Sequence, residues 1–164
     1  MKVFLSIGSN IRPAKNIPAC LKKLKAAFKV KKISPVYETS PLTLPSPPLG
    51  ERIKVRGNKN FWNLAVQIET SLSRTQLRRN LREVEAKLGR KRNTNRFAPR
   101  PIDIDLVGFG NWWRRGAERF AFVLFPLAKI APRFKPRGVK ASLKVLTRDF
   151  CDPAQKIRRL GRVL

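Results

Sequence analysis

Hydrophobic positions recur along this chain with two periods, and the changes of period mark out its elements. Val3, Leu5 and Ile7 alternate with Phe4 and Ser6, which predicts a first strand. Gly8-Ser9-Asn10 breaks the alternation. Small residues at a strand end either make an ordinary turn or let the backbone approach a ligand or another loop. Ile17, Cys20, Leu21, Leu24 and Phe28 then fall at helical spacing, with lysines on the opposite side. Val30 to Tyr37 reads as extended, with Ser34-Pro35 keeping the chain off the helical region. The clearest strand follows, where Trp62, Leu64, Val66 and Ile68 alternate with Asn63, Ala65, Gln67 and Glu69. Ser73-Arg74-Thr75-Gln76 is a capping box. It opens a helix marked by Leu77, Leu81, Val84 and Leu88 and ended by Gly89. Ile102, Ile104 and Leu106 alternate with Asp103, Asp105 and Val107 in another strand. Phe122 to Leu127 reads as a further strand and Ala128 to Pro132 as a short turn or helix. Asn111 to Arg119 is short, rich in Trp and Arg, and shows no clear period; Lys135 to Leu164 is weakly periodic and predicts a short terminal helix.

Between the second extended segment and the Trp62 strand the texture changes. Four prolines fall between Pro41 and Pro48, and four basic residues between Arg52 and Lys59. Such a stretch cannot pack a core and predicts a partly polyproline-II loop, an insertion near residues 43–60. With 164 residues and 42% hydrophobic content, the chain fits one globular domain ending in a basic extension over 133–164. No apolar run approaches the roughly 18 residues that span a bilayer. The N-terminus reads as a strand and not as a signal peptide, and Cys20 and Cys151 are far apart. The expectation is a reduced, cytoplasmic monomer with packing cysteines and no membrane contact.

Charge adds a second possibility. A formal net charge of +27 is the electrostatic footprint of a nucleic-acid binder, although it argues partners and solubility and not fold. Trp112, Trp113, Arg114 and Arg115 are its local support, and buried aromatics beside solvated arginines account for them equally well. The chain has no histidine, which excludes Ser-His-Asp and Cys-His chemistry and any histidine-ligated metal.

The candidate chemistry lies between Arg90 and Gly110. Asp103 and Asp105 point the same way from one strand, roughly 7 Å apart. Parallel carboxylates suit hard cations, and two-metal sites hold their ions about 4 Å apart. Arg90, Arg92, Arg96 and Arg100 precede them, and guanidinium forks bind phosphate bidentately. The plain alternative is an edge strand with solvated acids behind a basic loop. The arginine cluster, with Pro99 and Pro101 stiffening the approach, favours a nucleotide site. Glu85 falls on the inward stripe of its helix, where a carboxylate needs a partner. An arginine from the following loop is one such partner, and a ligand hydroxyl or amine the other. Asn63, at the start of its strand, could hydrogen-bond an amide-like ligand or simply lie on a polar face.

Taken in order, G-S-N at 8–10, Y-E-T-S-P-L at 37–42, F-W-N-L-A-V at 61–66, L-G-R-K-R at 88–92, R-F-A-P-R-P-I-D-I-D-L at 96–106 and F-V-L-F-P-L-A-K-I-A-P at 122–132 resemble one family. It is the 6-hydroxymethyl-7,8-dihydropterin pyrophosphokinases of folate biosynthesis. The resemblance runs from about Lys2 to Pro132, and the R-x-x-P-R-x-I-D-I-D run is its most specific part. It implies an α+β fold of three layers, α/β/α, with a ferredoxin-like, mostly antiparallel sheet. It implies transfer of the β,γ-diphosphate of ATP, the co-substrate, to the hydroxymethyl group of a reduced pterin, with release of AMP. By matching position, Asp103 and Asp105 would bind two Mg²⁺ ions. Arg90, Arg92, Arg96 and Arg100 would cradle the phosphates, Arg90 and Arg100 as catalytic residues, with Glu85 near the nucleotide. Phe61 and Phe122 would sandwich the pterin, and Asn63 would hydrogen-bond it together with the backbone around Thr39 and Leu42.

The chain also departs from the family pattern. The connection after the Asp strand, N-W-W-R-R-G-A-E-R-F-A, is several residues short and lacks the usual His-Pro pair; Arg119 stands near the place of a family arginine that binds ATP. Phe97 replaces a frequent Trp, the loop before Phe61 is roughly ten residues longer than expected, and the family is not typically so basic. Two alternatives therefore stand beside the enzyme: a relative with the same fold but little or no activity, and a basic nucleic-acid-binding protein.

Overall fold

Among the described residues, the alternating run beginning at Trp62 becomes the longest strand of a seven-stranded sheet, and the other elements are arranged around it. A computed structural model describes residues 1–40, 60–91 and 99–162. In chain order the elements are β1 (Lys2–Ser9), α1 (Pro13–Ala27), β2 (Lys29–Ile33), β3 (Val36–Thr39), β4 (Phe61–Glu69), α2 (Arg74–Lys87), β5 (Asp103–Phe109), β6 (Trp112–Trp113), α3 (Ala121–Ile130), α4 (Leu143–Arg148) and β7 (Ile157–Gly161). A 3₁₀ turn, Ala117–Arg119, precedes α3.

The strand order is β6-β5-β1-β4-β3-β7, with β2 also paired to β4, and these pairings are antiparallel. Without β6 and β7 this is the ferredoxin-like βαββαβ arrangement, with β2 and β3 sharing one edge of β4. Ser34 joins those two short strands. Its N–H and hydroxyl oxygen both bond the backbone of Ala65, at 2.9 Å each, across the break that Pro35 imposes.

Two apolar layers flank the sheet. On one face Val3, Leu5, Ile7, Leu64, Val66, Ile68, Ile104 and Leu106 meet Ile17, Cys20, Leu21 and Leu24 of α1 and Leu77, Leu81 and Val84 of α2. On the other, Phe4, Ala65 and Val107 meet Val123, Leu124, Leu127 and Ile130 of α3 and Leu143 of α4. The architecture is therefore α+β in three layers. Both faces of the central strands are covered, so Asn63 and Gln67 are buried along with the greasy positions.

Two expectations are corrected. Phe122–Leu127, read as a strand, is the body of α3. A short, wholly apolar run does not distinguish a strand from a helix buried on several sides. This one forms a helix because it lies across the sheet instead of joining an edge. Second, β7 follows the expected terminal helix and adds a strand beside β3. Its sequence, I-R-R-L-G, is polar because it is an outer strand, so it carries little hydrophobic signal. The uninterpreted stretch after Gly110 forms β6, paired to Gly108 and Phe109, and the 3₁₀ turn. The Pro-rich insertion lies outside the described residues.

Candidate active site

The register of the sheet places the candidate residues in rows. Asp103 of β5 and Asn63 of β4 both lie directly opposite Gly8 of β1, one on each side. Asn63 is in turn opposite Tyr37 of β3, and Thr39 is opposite Phe61. Partners across a ladder share a face, so Asp103, Gly8, Asn63 and Tyr37 form one row on one side of the sheet. Asp105, Phe61 and Thr39, each two residues along a strand from a member of that row, project from the same face. Strands are about 4.8 Å apart, which sets the Asp103 and Asn63 backbones about 10 Å from each other across the gap at Gly8. A Cβ on Gly8 would stand 3.0 Å from Asn63 Oδ1 and 3.9 Å from the Phe61 ring, so only glycine leaves that gap open.

The charged end of the row is built by the termini of two elements. Ser73 and Gln76 form the reciprocal capping box at the start of α2. At the other end Gly89 is left-handed with φ 83°; its N–H bonds the Ala86 carbonyl and that of Arg90 bonds the Glu85 carbonyl. This is a Schellman closure, which folds Arg90 back toward its own helix. The Arg90 guanidinium then lies between Glu85 and Asp103 and donates to both. Arg100 donates to the other oxygen of Asp103. Glu85 is buried, and its Oε1 also accepts the Ile104 N–H at 2.8 Å. There Glu85 stands in for a strand, because β6 pairs only at Gly108 and Phe109 and does not reach Ile104. Of the partners expected for Glu85, the loop arginine is the one found.

Electrostatics follow from this crowding. Burial works against the Arg90 charge, but Asp103 and then Glu85 outweigh it, and its pKa lies above the ordinary arginine value. Asp105 is pushed above the usual carboxylate range by desolvation and then by neighbouring Asp103; Arg114, whose Nη1 donates to Asp105 Oδ1 at 2.8 Å, pulls it back only in part. An added cation would relieve that carboxylate repulsion. Among the described residues no group of three or more acidic or cysteine side chains could enclose a metal. Asp103 and Asp105 are oxygen donors two residues apart on one strand, and such a pair fits an ion such as Mg²⁺, which takes one or two carboxylates and completes its shell with water and phosphate oxygens.

The Ser9-Asn10 pair proves to be the close approach to another loop. Ser9 Oγ donates to the Pro101 carbonyl at 2.6 Å, and Asn10 Oδ1 accepts the Arg100 N–H at 2.8 Å. Both residues are buried, and Asn10 Nδ2 has no hydrogen-bond partner among the described residues. At the uncharged end, Asn63 Nδ2 donates to Thr39 Oγ1 at 2.9 Å, which fixes the amide's orientation. Phe61 and Phe122 are both half-buried, Phe122 in the first turn of α3 and 5.4 Å from the exposed Phe120 ring.

The structure brings Glu85, Arg90, Asp103 and Arg100 into one ion-pair network, sets Asp105 two residues along β5 with Arg114 as its partner, and bonds Asn63 to Thr39. Arg92, Arg96 and Leu42 lie outside the described residues. Arg119 is exposed and makes no ion pair with Asp103 or Asp105 among the described residues. It lines a separate cavity of about 680 Å³ with Trp113, Arg115, Glu118 and Arg137. Arg114 is named in the sequence only as support for nucleic-acid binding, and its pairing with Asp105 leaves no signal in a stretch without a period. The aromatics that could have supported nucleic-acid binding are engaged elsewhere. Trp113 is buried and donates to Glu118 at 2.9 Å, and Trp112 lies under Arg74, 4.8 Å from the guanidinium carbon to the ring centre. Neither ring forms an open stacking platform.

Known proteins resemble this chain over most of its length. The family model for 7,8-dihydro-6-hydroxymethylpterin-pyrophosphokinase matches residues 4–132. The 2-amino-4-hydroxy-6-hydroxymethyldihydropteridine pyrophosphokinase of Bacillus subtilis is 30% identical over 151 residues, covering 84% of this chain and 83% of that protein. The Pseudomonas aeruginosa protein of the same name is 31% identical over 141 residues, covering 80% and 81%. The match to the folic acid synthesis protein FOL1 of Dictyostelium discoideum, 29% identical, covers 80% of this chain but 20% of that longer protein. In fold, the chain is similar to the crystal structure of Plasmodium falciparum HPPK-DHPS, with a TM-score of 0.65 at 13% identity over 94% of this chain and 47% of that one. No helix of the described residues is long and apolar enough to cross a membrane. The chain belongs to the 7,8-dihydro-6-hydroxymethylpterin-pyrophosphokinase family, the pyrophosphokinases of folate biosynthesis.

Proposed function

We propose that this chain transfers the β,γ-diphosphate of ATP to the hydroxymethyl oxygen of 6-hydroxymethyl-7,8-dihydropterin. That oxygen bonds to the β-phosphorus, the bond from the β-phosphorus to the oxygen bridging the α-phosphorus breaks, AMP leaves with that oxygen, and the hydroxyl proton is released. The observation that supports this reading is the row Asp103-Gly8-Asn63, in which a carboxylate and a side-chain amide rise from backbones about 10 Å apart over a glycine gap. That span suits a pterin ring at one end and its substituent meeting a phosphate chain at the other.

Phosphoryl transfer needs positioning and charge neutralisation more than covalent help from the protein. Asp103 and Asp105 would hold Mg²⁺, which when bound neutralises phosphate charge and orients the ATP oxygens. Arg90 and Arg100 flank Asp103 and are poised to meet the phosphates. Glu85 keeps Arg90 aimed and so acts through it, and Arg92 and Arg96 would cradle the phosphates alongside the other two arginines. Phe61 and Phe122 would contact the pterin faces, and Asn63, oriented by Thr39, would read its edge with the backbone near Leu42. Arg119 would meet ATP only from the side of its own cavity, beside Trp113 and Arg137. The protein would act as a cytoplasmic monomer.

The test is AMP formation from ATP, Mg²⁺ and 6-hydroxymethyl-7,8-dihydropterin, with Asp103→Ala and Asp105→Ala as controls. The expected result is pterin-dependent AMP from the parent chain, at least a hundredfold less from either variant by analogy with other electrostatic groups, and unchanged circular dichroism. No AMP from the folded parent chain rejects the reading in favour of an inactive relative, and full activity in both variants rejects the metal assignment.

A further inference from the structure

We infer that Gln155, outside the segment the family model matches, is a positioning residue that bolts the two walls of the pterin site together. The inference rests on the assignment of Phe122 and Thr39 to that site. Helix α3 starts without a local cap: its N-cap residue is Phe120, whose side chain has no acceptor, and no acidic residue lies in its first turn. The first N–H groups of a helix need outside acceptors. Gln155 supplies one from 34 positions away, its Oε1 accepting the Ala121 N–H at 2.8 Å. The same amide donates Nε2 to the Arg119 carbonyl at 3.1 Å and to Asp152 Oδ2 at 2.6 Å. One side chain therefore fixes the backbone on both sides of Phe120 and sets where the first turn of α3, with Phe122, begins.

The residues next to Gln155 reach the opposite wall. The Ser40 N–H meets the Lys156 carbonyl at 3.4 Å, and Ile157 is the register partner of Thr39. Thr39 in turn holds the Asn63 amide. A short path thus runs from Phe122 through Ala121, Gln155 and Ile157 to Thr39 and Asn63. Loosening its middle frees the first turn of α3 while leaving the core contacts of Val123, Leu124 and Leu127 in place.

Gln155→Ala should raise KM for the pterin about tenfold, leaving kcat and KM for ATP within twofold. Gln155→Glu keeps the acceptor for Ala121 but loses the donor and repels Asp152, so it should fall between parent and Ala. Amide hydrogen exchange at Ala121 should quicken at least tenfold in Gln155→Ala, with β1 and β4 amides unchanged. The exchange measurement needs no substrate, so it tests the clamp even if the parent chain makes no AMP, an outcome that would reject the functional reading alone. Unchanged Ala121 exchange overturns the clamp. An unchanged pterin KM, or equal losses for pterin and ATP, overturns the positioning role.

Discussion

Asn10 and Arg100, 90 positions apart, hold each other through two hydrogen bonds: the Asn10 side-chain oxygen accepts the Arg100 N–H at 2.8 Å, and the Asn10 N–H reaches the Arg100 carbonyl at 3.3 Å. The end of β1 thus sets the backbone from which Arg100 reaches Asp103. Asn10→Ala removes the side-chain bond and also an amide nitrogen that has no partner among the described residues, so the two effects on stability partly offset. A loss of about 1 kcal/mol is expected, read from the urea midpoint. The rate should suffer more: kcat should fall at least tenfold, because Arg100 would no longer start from a fixed point. An unchanged kcat would show that Pro99 and Pro101 hold the approach unaided.

Glu85 has a structural duty separable from any contact with nucleotide. Glu85→Ala would strand the buried Ile104 N–H and take one of its two carboxylates from the Arg90 guanidinium, leaving it Asp103, a cost of about 3 kcal/mol. Glu85→Gln keeps an acceptor for Ile104 and loses only the charge, so about half that cost is expected. Denaturant melts of the two variants, compared at constant m-value, check the order. Equal losses would mean that the Ile104 bond contributes nothing.

Asp105 is a carboxylate held above its ordinary range by desolvation and then by Asp103. A raised carboxyl pKa means the native state binds the proton more tightly than the unfolded one. Stability on this account falls as pH rises from the ordinary value of 3.8 through the raised folded value, and stays reduced above it. Asp105→Asn removes that penalty. It should raise Tm at pH 7 by about 2 °C while abolishing Mg²⁺-dependent AMP formation. The Tm gain should vanish below pH 3.8, where the parent carboxyl is protonated in both states. A lower Tm at pH 7 would mean that the Arg114 ion pair outweighs the repulsion.

Much of this was legible in the sequence because local signals and burial agreed. The period-two run from Trp62 identified the central strand, the Ser73 box and Gly89 identified both ends of α2, and the Asp103 strand declared its two faces. The misread elements are those where sequence pattern and tertiary setting part. Phe122 to Leu127 is apolar on every side because α3 lies in the second core layer, and that erases the helical stripe. Ile157 to Gly161 is an outer strand held mainly by its backbone pairing to β3, so its side chains carry no signature. The site was legible as residue types, two acids behind arginines, but not as connections. That Glu85 caps Ile104, that Arg114 pairs with Asp105, and that Gln155 caps α3 are contacts between distant segments, and periodicity does not encode them.

Gly8 offers the sharpest separation of binding from folding. It has an ordinary strand conformation, so alanine there meets no backbone strain. Its cost comes only from the new Cβ, placed 3.0 Å from Asn63 Oδ1 and 3.9 Å from Phe61. That first distance is too short for an ordinary contact, and the Asn63 side chain is the movable partner, so the amide must shift by a few tenths of an ångström. Shifting it disturbs its bond to Thr39 Oγ1 and its aim at the ligand. Gly8→Ala should therefore stay folded, with a stability change within about 1 kcal/mol. KM for the pterin should rise about tenfold, roughly the effect of one weakened hydrogen bond, while KM for ATP stays within twofold. Because Asp103 lies opposite Gly8 on the other side, a matching rise in the ATP KM would show that the gap serves the phosphate end as well, and steady-state kinetics in both substrates decides between the two.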